Sequence, residues 1–106
     1  MTTAQPLQAV LDQRGNQYGD FRHQAVLAQT LKNVVREHLE TQGVEVEPFQ
    51  MESLDMILHK VARICNGNPN NVDSWQDIAG YATIAMIRSP EWIPEPETPV
   101  VKKRRA

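Results

Sequence analysis

The chain has 106 residues, 41% hydrophobic and 23% charged, which is room for one small globular domain and not two. Its net charge of -2 argues against non-specific nucleic-acid binding, and no run approaches the ~18 apolar residues of a membrane span. The N-terminus carries no basic segment followed by an apolar core, so no signal peptide is expected, and the lone Cys65 cannot form an internal disulfide, so a reducing cytoplasm is the expected compartment.

Residues 5–14 read as a short helix, with Pro6 suited to a first turn and Leu7, Val10 and Leu11 on one stripe. Gly15 and Gly19 then bracket a loop. Asp20 stands as an N-cap before a long periodic segment, Phe21 to Gln42, which Gly43 ends. Its apolar face holds Phe21, Leu27, Ala28, Leu31, Val34, Val35 and Leu39. Residues 44–48 alternate like a strand but have no partner run, so they read as a loop. A third helix spans Gln50 to Asn66, with Leu54, Ile57, Leu58, Val61, Ile64 and Cys65 on one face. Cys65 therefore reads as a small buried residue and not as a nucleophile. Asn66-Gly-Asn-Pro-Asn-Asn is a cluster of turn formers. The fourth helix runs from Asp73 to Arg88 and is apolar almost all round, which places it at the centre of the fold or in a subunit interface. Gly80 inside it costs about 1 kcal/mol relative to Ala, which suggests a close approach by a backbone or ligand. Four prolines within residues 90–99 and the basic end Lys102–Arg105 mark 91–106 as an extended or disordered tail. The balance of charge shifts there too: residues 1–90 hold ten acids and seven bases, the tail three and four.

Two acidic pairs carry the chemical signal. Glu52 and Asp55, and Asp73 and Asp77, each lie within one helical turn. Such pairs repel by a few tenths of a kcal/mol. Two of them on consecutive helices suggest four carboxylates around Mg²⁺ carrying a phosphorylated ligand. Glu52, Asp55, His59 and Arg63 project within about 80° of one another, opposite the apolar stripe. Lys60 and Arg63 lie beyond the acids, where they would face phosphate oxygens. The plainer readings are a solvated face for the third helix, a helix-dipole acid at Asp73 and a structural salt bridge from Asp77 to Lys60 or Arg63. Glu37 and Glu40 form a further pair at the end of the second helix. His23, His38 and His59 show no zinc spacing, and no Gly-rich phosphate loop is present. Asp20 is accounted for as an N-cap, while Tyr18 could cover a base or sugar at the mouth of a site.

Three strings, Tyr18-Gly-Asp-Phe21, Leu54-Asp-Met-Ile57 with Lys60-Val-Ala-Arg-Ile64, and Asp73-Ser-Trp-Gln-Asp-Ile-Ala-Gly-Tyr-Ala82, resemble a family of short phage and prophage proteins over residues 8–88. That pattern is similar in turn to the all-α nucleoside triphosphate pyrophosphatases, the MazG-like and dimeric dUTPase group. Those are helical bundles, usually dimers or tetramers, that bind Mg²⁺ through an E-x-x-E and an E-x-x-D pair and convert NTP to NMP and pyrophosphate. Glu52-x-x-Asp55 would stand for the first pair and Asp73-x-x-x-Asp77 for the second, with spacing four in place of three and Ser74 where a Glu is expected. The other threading uses Glu37-x-x-Glu40 and then Glu52-x-x-Asp55.

The expectations are these. The fold is all-α, a small antiparallel bundle of about four helices over residues 1–90, which dimerises or forms a higher oligomer to bury the fourth helix. The resemblance implies a Mg²⁺-dependent nucleotide pyrophosphohydrolase, with metal on Glu52, Asp55, Asp73 and Asp77. Lys60 and Arg63 would stabilise phosphate charge, and Tyr18 or Trp75 would stack on the base. The alternative is a non-catalytic phage accessory protein that binds a nucleotide or a host protein.

Overall fold

Each helix boundary follows from residues close to it in the chain. The computed structural model describes residues 6–95, in four helices: α1 (Leu7–Tyr18), α2 (Phe21–Gln42), α3 (Pro48–Asn66) and α4 (Val72–Arg88). Most of the expected tail, 96–106, lies outside the described residues. The Asp20 carboxylate accepts the Arg22 N–H at 2.8 Å and opens α2. Gly43, at φ 66°, closes it in the left-handed conformation that L side chains avoid. α3 begins two residues earlier than its apolar period suggests. Pro48 occupies the first helical position, and the Gln50 side chain accepts the Glu47 N–H at 2.8 Å. Asn71 caps α4, its side chain accepting the Asp73 N–H at 3.0 Å. α1 does not end at residue 14. It runs through Gly15, whose carbonyl accepts the Gly19 N–H at 2.9 Å. No helix among the described residues is long and apolar enough to cross a membrane.

The centre of the fold is α3 and not α4. α3 packs against α2, α4 and α1, whereas α2 and α4 do not touch each other. Helix geometry puts Ser53 and Lys60 about 20° apart on one side of α3, and Ala62 about 160–180° away on the other. The first side meets α4, through Lys60, and the second meets α2, through Asp55. Late α2 (Arg36) pairs with early α3 (Asp55), and early α2 (Asp20) with the end of α3 (Asn66), so the two helices run antiparallel. That register sets Ala28 opposite Ala62, buried to 3% and 0% exposure. The most buried positions are mostly small (Ala28, Ser53, Ala62, Ser74), which lets the helix backbones approach closely.

The result is a layer of helices with its apolar sides only partly covered. No large side chain among the described residues is fully buried, and Val34, Trp75, Ile84, Met86 and Ile87 are exposed. Leu54, Leu58 and Val61, on the side of α3 between its two packed flanks, are half-buried. One expectation fails for this reason. Cys65 is exposed, because nothing among the described residues covers that side of α3. A Cβ at Gly80 would meet nothing within 4 Å, so among the described residues no other backbone of this copy approaches it.

Candidate functional site

The three strings singled out in the sequence meet at one end of the layer. The Asn66 side-chain amide donates to the Tyr18 carbonyl at 2.8 Å and to the Asp20 carbonyl at 2.9 Å. The Asn68 N–H donates to the Gln17 carbonyl at 2.7 Å. A Cβ at Gly67 would collide with the Gln17 carbonyl and the Tyr18 backbone, so only glycine fits this crossing. Gly19, at φ 78°, has the left-handed conformation, and a Cβ there would also strike the Asn66 carbonyl. The loop after α3 is thereby clamped on the last turn of α1, which fixes Tyr18 beside α3.

Arg63 closes that junction. Its guanidinium lies 4.5 Å from the centroid of the Tyr18 ring, a cation–π contact. Its Nε is buried and has no hydrogen-bond partner. A cavity of about 560 Å³ opens here between α1, the end of α3 and the start of α4, lined by Arg14, Gln17, Tyr18, Arg63, Asn71 and Asp73 among others. Its volume is within the ~300–1,000 Å³ common for small-molecule sites. Among the described residues the ion pairs are Arg22–Asp20, Arg36–Asp55 and Lys60–Asp77, so neither Arg14 nor Arg63 has a carboxylate partner. Two guanidinium groups on a polar cavity wall, neither within ion-pair distance of a carboxylate although Asp73 lines the same cavity, suit an anion that accepts bidentate hydrogen bonds.

The sequence-predicted acids are distributed otherwise. Glu52 is exposed. Asp55 accepts from Arg36 at 2.7 Å through one oxygen, while its other oxygen is buried without a partner. Asp77 lies 3.0 Å from the Lys60 ammonium, and Lys60 is only 8% exposed. Of the two partners that the sequence left open, Lys60 is therefore the one that Asp77 takes. Asp73 alone of the four reaches the cavity, on the first turn of α4. Glu37 and Glu40 are exposed at the end of α2. Among the described residues no three His, Cys, Asp or Glu side chains are placed to hold a metal ion. Within one copy of the chain Glu52, Asp55, Asp73 and Asp77 are therefore not gathered at a common point. Trp75 donates its indole N–H to the Pro69 carbonyl at 2.8 Å and does not line the cavity.

Electrostatics around α3 follow from its cations. Burial pushes the His59 pKa below the usual 6.5, and the nearby charges of Arg63, Lys32 and Lys60 add to that shift. Asp20 is held below its usual 3.8, chiefly by the Arg22 N–H it accepts. Sequence reasoning missed Arg14, Arg36 and Asn66. Arg14 fell at the supposed end of α1, and Asn66 carried only a turn signal. Arg36 sits on a charged helix with nothing local to mark its partner, 19 residues away.

No curated protein and no solved structure matched the chain. A family model, Domain of unknown function (DUF6378), matches residues 1–88, and the chain belongs to that family.

Proposed function

We propose that the protein binds a nucleotide through its phosphates in the cavity at Arg63, and that its activity is of the nucleoside triphosphate pyrophosphohydrolase type. The observation that carries the binding is the pair Arg14 and Arg63, both without a carboxylate partner beside Tyr18. Arg63 would present its planar fork to phosphate oxygens while Tyr18 holds it by stacking. Asn71, which caps α4 with its side chain, brings the positive end of a 17-residue helix to the same wall. The hydrolytic part rests on the resemblance to the phage and prophage proteins and, through them, to the MazG-like enzymes. Mg²⁺, when bound, would neutralise phosphate charge and activate water.

The second reading is a non-catalytic phage accessory protein that holds a nucleotide. It is favoured by the pairing of Asp55 with Arg36 and of Asp77 with Lys60, which neutralises two of the four predicted metal ligands. One experiment addresses both. The full chain is titrated calorimetrically with NTPs, dNTPs and inorganic tripolyphosphate, then incubated with each nucleotide plus Mg²⁺ and scored for pyrophosphate. Arg63→Gln should weaken binding at least about tenfold, from the loss of one charge-assisted pair. Binding with release of pyrophosphate supports the enzyme, and binding without it the second reading. No binding of any phosphate compound at millimolar concentration rejects both.

We also propose that a second copy of this chain covers the partly open side of α3. The side chains that a domain of this size must take out of water, Leu54, Leu58 and Val61 on α3 and Val34 and Trp75 on its neighbours, are left half-buried or exposed by one copy. An isologous dimer would supply the missing layer.

A further inference from the structure

A second cavity, of about 440 Å³, adjoins the first and shares Arg14, Tyr18 and Arg63 with it. The stacked Tyr18–Arg63 pair is thus a common wall. The two chambers differ in character. The first presents Gln13, Gln17, Asn71 and Asp73; the second runs along the α1–α2 turn past Leu11, Gly15, Gly19 and Phe21. Gln24 belongs to the second. It is 3% exposed, and its side-chain amide makes no hydrogen bond among the described residues. Its amide atoms are not among the side-chain atoms sealed from solvent, so they open on the cavity that Gln24 lines. A ligand with a matching donor and acceptor edge would satisfy them.

We infer that the second cavity is a nucleobase pocket and that Gln24 reads the edge of the base. The inference rests on the phosphate reading of the first cavity and extends it from an anion to a whole nucleotide. A primary amide carries one acceptor and two donors, the complement of an exocyclic amine or carbonyl beside a ring nitrogen. The apolar side chains Leu11 and Phe21 accept the flat faces of the ring, and Tyr18 stands between base and phosphates. Gly15 is in the wall, and a Cβ there would meet nothing within 4 Å. The space there is open, so a larger side chain at Gly15 is accommodated and would narrow the wall to which Gly15 belongs.

The test uses the full chain in equilibrium titrations with the four common NTPs and with inorganic tripolyphosphate. Two variants are compared with wild type. Gln24→Met keeps the length and removes the amide. Gly15→Leu narrows the pocket and, as a better helix former than glycine, preserves α1. The wild type should bind one base about 10- to 100-fold more tightly than the others, the discrimination of a bidentate base contact, and more tightly than tripolyphosphate. Both variants should lose that preference and fall to the tripolyphosphate level, with tripolyphosphate affinity itself unchanged. A base preference retained in Gln24→Met overturns the role of Gln24. Equal binding of all NTPs and tripolyphosphate by the wild type overturns the base pocket and leaves the phosphate cavity standing. Absence of binding by either class overturns both.

Discussion

Lys60 is the most buried charge in the chain, and its environment shows how single residues set the balance. Its ammonium is 3.0 Å from Asp77, which is itself half exposed. Removing one partner of a fully buried pair costs about 3–5 kcal/mol. Solvent reaches Asp77 and screens the pair, so Asp77→Asn should cost less, about 1–3 kcal/mol. A urea denaturation midpoint measures this, and unchanged or raised stability would mean that Asp77 is repelled by its neighbours. His59 gives a second residue-scale outcome. Burial and three nearby cations keep its folded pKa below the unfolded value of 6.5. The folded state then binds fewer protons than the unfolded state, so stability rises with pH in this window. The contribution of His59 is complete above pH 6.5 and is lost as pH falls through the folded pKa. His59→Gln should flatten the loss of stability between about pH 7 and pH 5. An equally steep loss in that variant would assign the pH response to other groups.

At the scale of elements, α1 is the weakly held one. It contains no buried residue and reaches the rest of the fold largely through the loop after α3. Asn66 donates twice to carbonyls around the α1–α2 turn, so Asn66→Ala should destabilise by about 1–3 kcal/mol by leaving those carbonyls unmet. Gly67→Ala should act on the same joint by sterics. Its Cβ cannot coexist with the Tyr18 backbone, so α1 must shift. Limited proteolysis within residues 7–18 should accelerate in both variants relative to wild type. If the cleavage rate in Gly67→Ala matches wild type, the joint is not what holds α1. Because Tyr18 and Arg14 lie on that helix, phosphate binding should weaken together with the protection.

At the scale of the whole molecule, a single copy is a layer with little dry core. Folding requires apolar burial to offset chain entropy, and small domains have little margin for leaving Leu, Val, Ile and Trp in water. A dimer or higher oligomer should therefore form at tens of micromolar, with sedimentation velocity as the measurement. A lone 12.0 kDa species would refute it. Val61→Glu, on the half-buried side of α3, should shift the distribution toward monomer and lower stability at the same time, because the two are linked by mass action.

What the sequence determined by itself is the set of four helices and most of their ends; the end of α1 was misplaced, because Gly15 lies inside that helix. Asp20, Gly43, Pro48 and Asn71 act on backbone groups within four residues, so their signals are written locally. The apolar periods likewise show which side of each helix seeks cover. The all-α class and the break at 66–71 follow from these. The tertiary structure decided everything that depends on residues far apart in the chain. It put α3 in the centre, which leaves a subunit interface as the reading of the apolar girth of α4, and it gave Asp55 to Arg36. It joined Asn66 to Tyr18 across 48 residues, an alignment that no local pattern encodes. It also separated the acids that spacing alone had grouped, since a helical turn fixes which residues share a face but not what that face meets. The two cavities at Tyr18 and Arg63 exist only where α1 is folded back on α3. Their lining comes from three or four elements at once, so they could be seen only when those elements were packed.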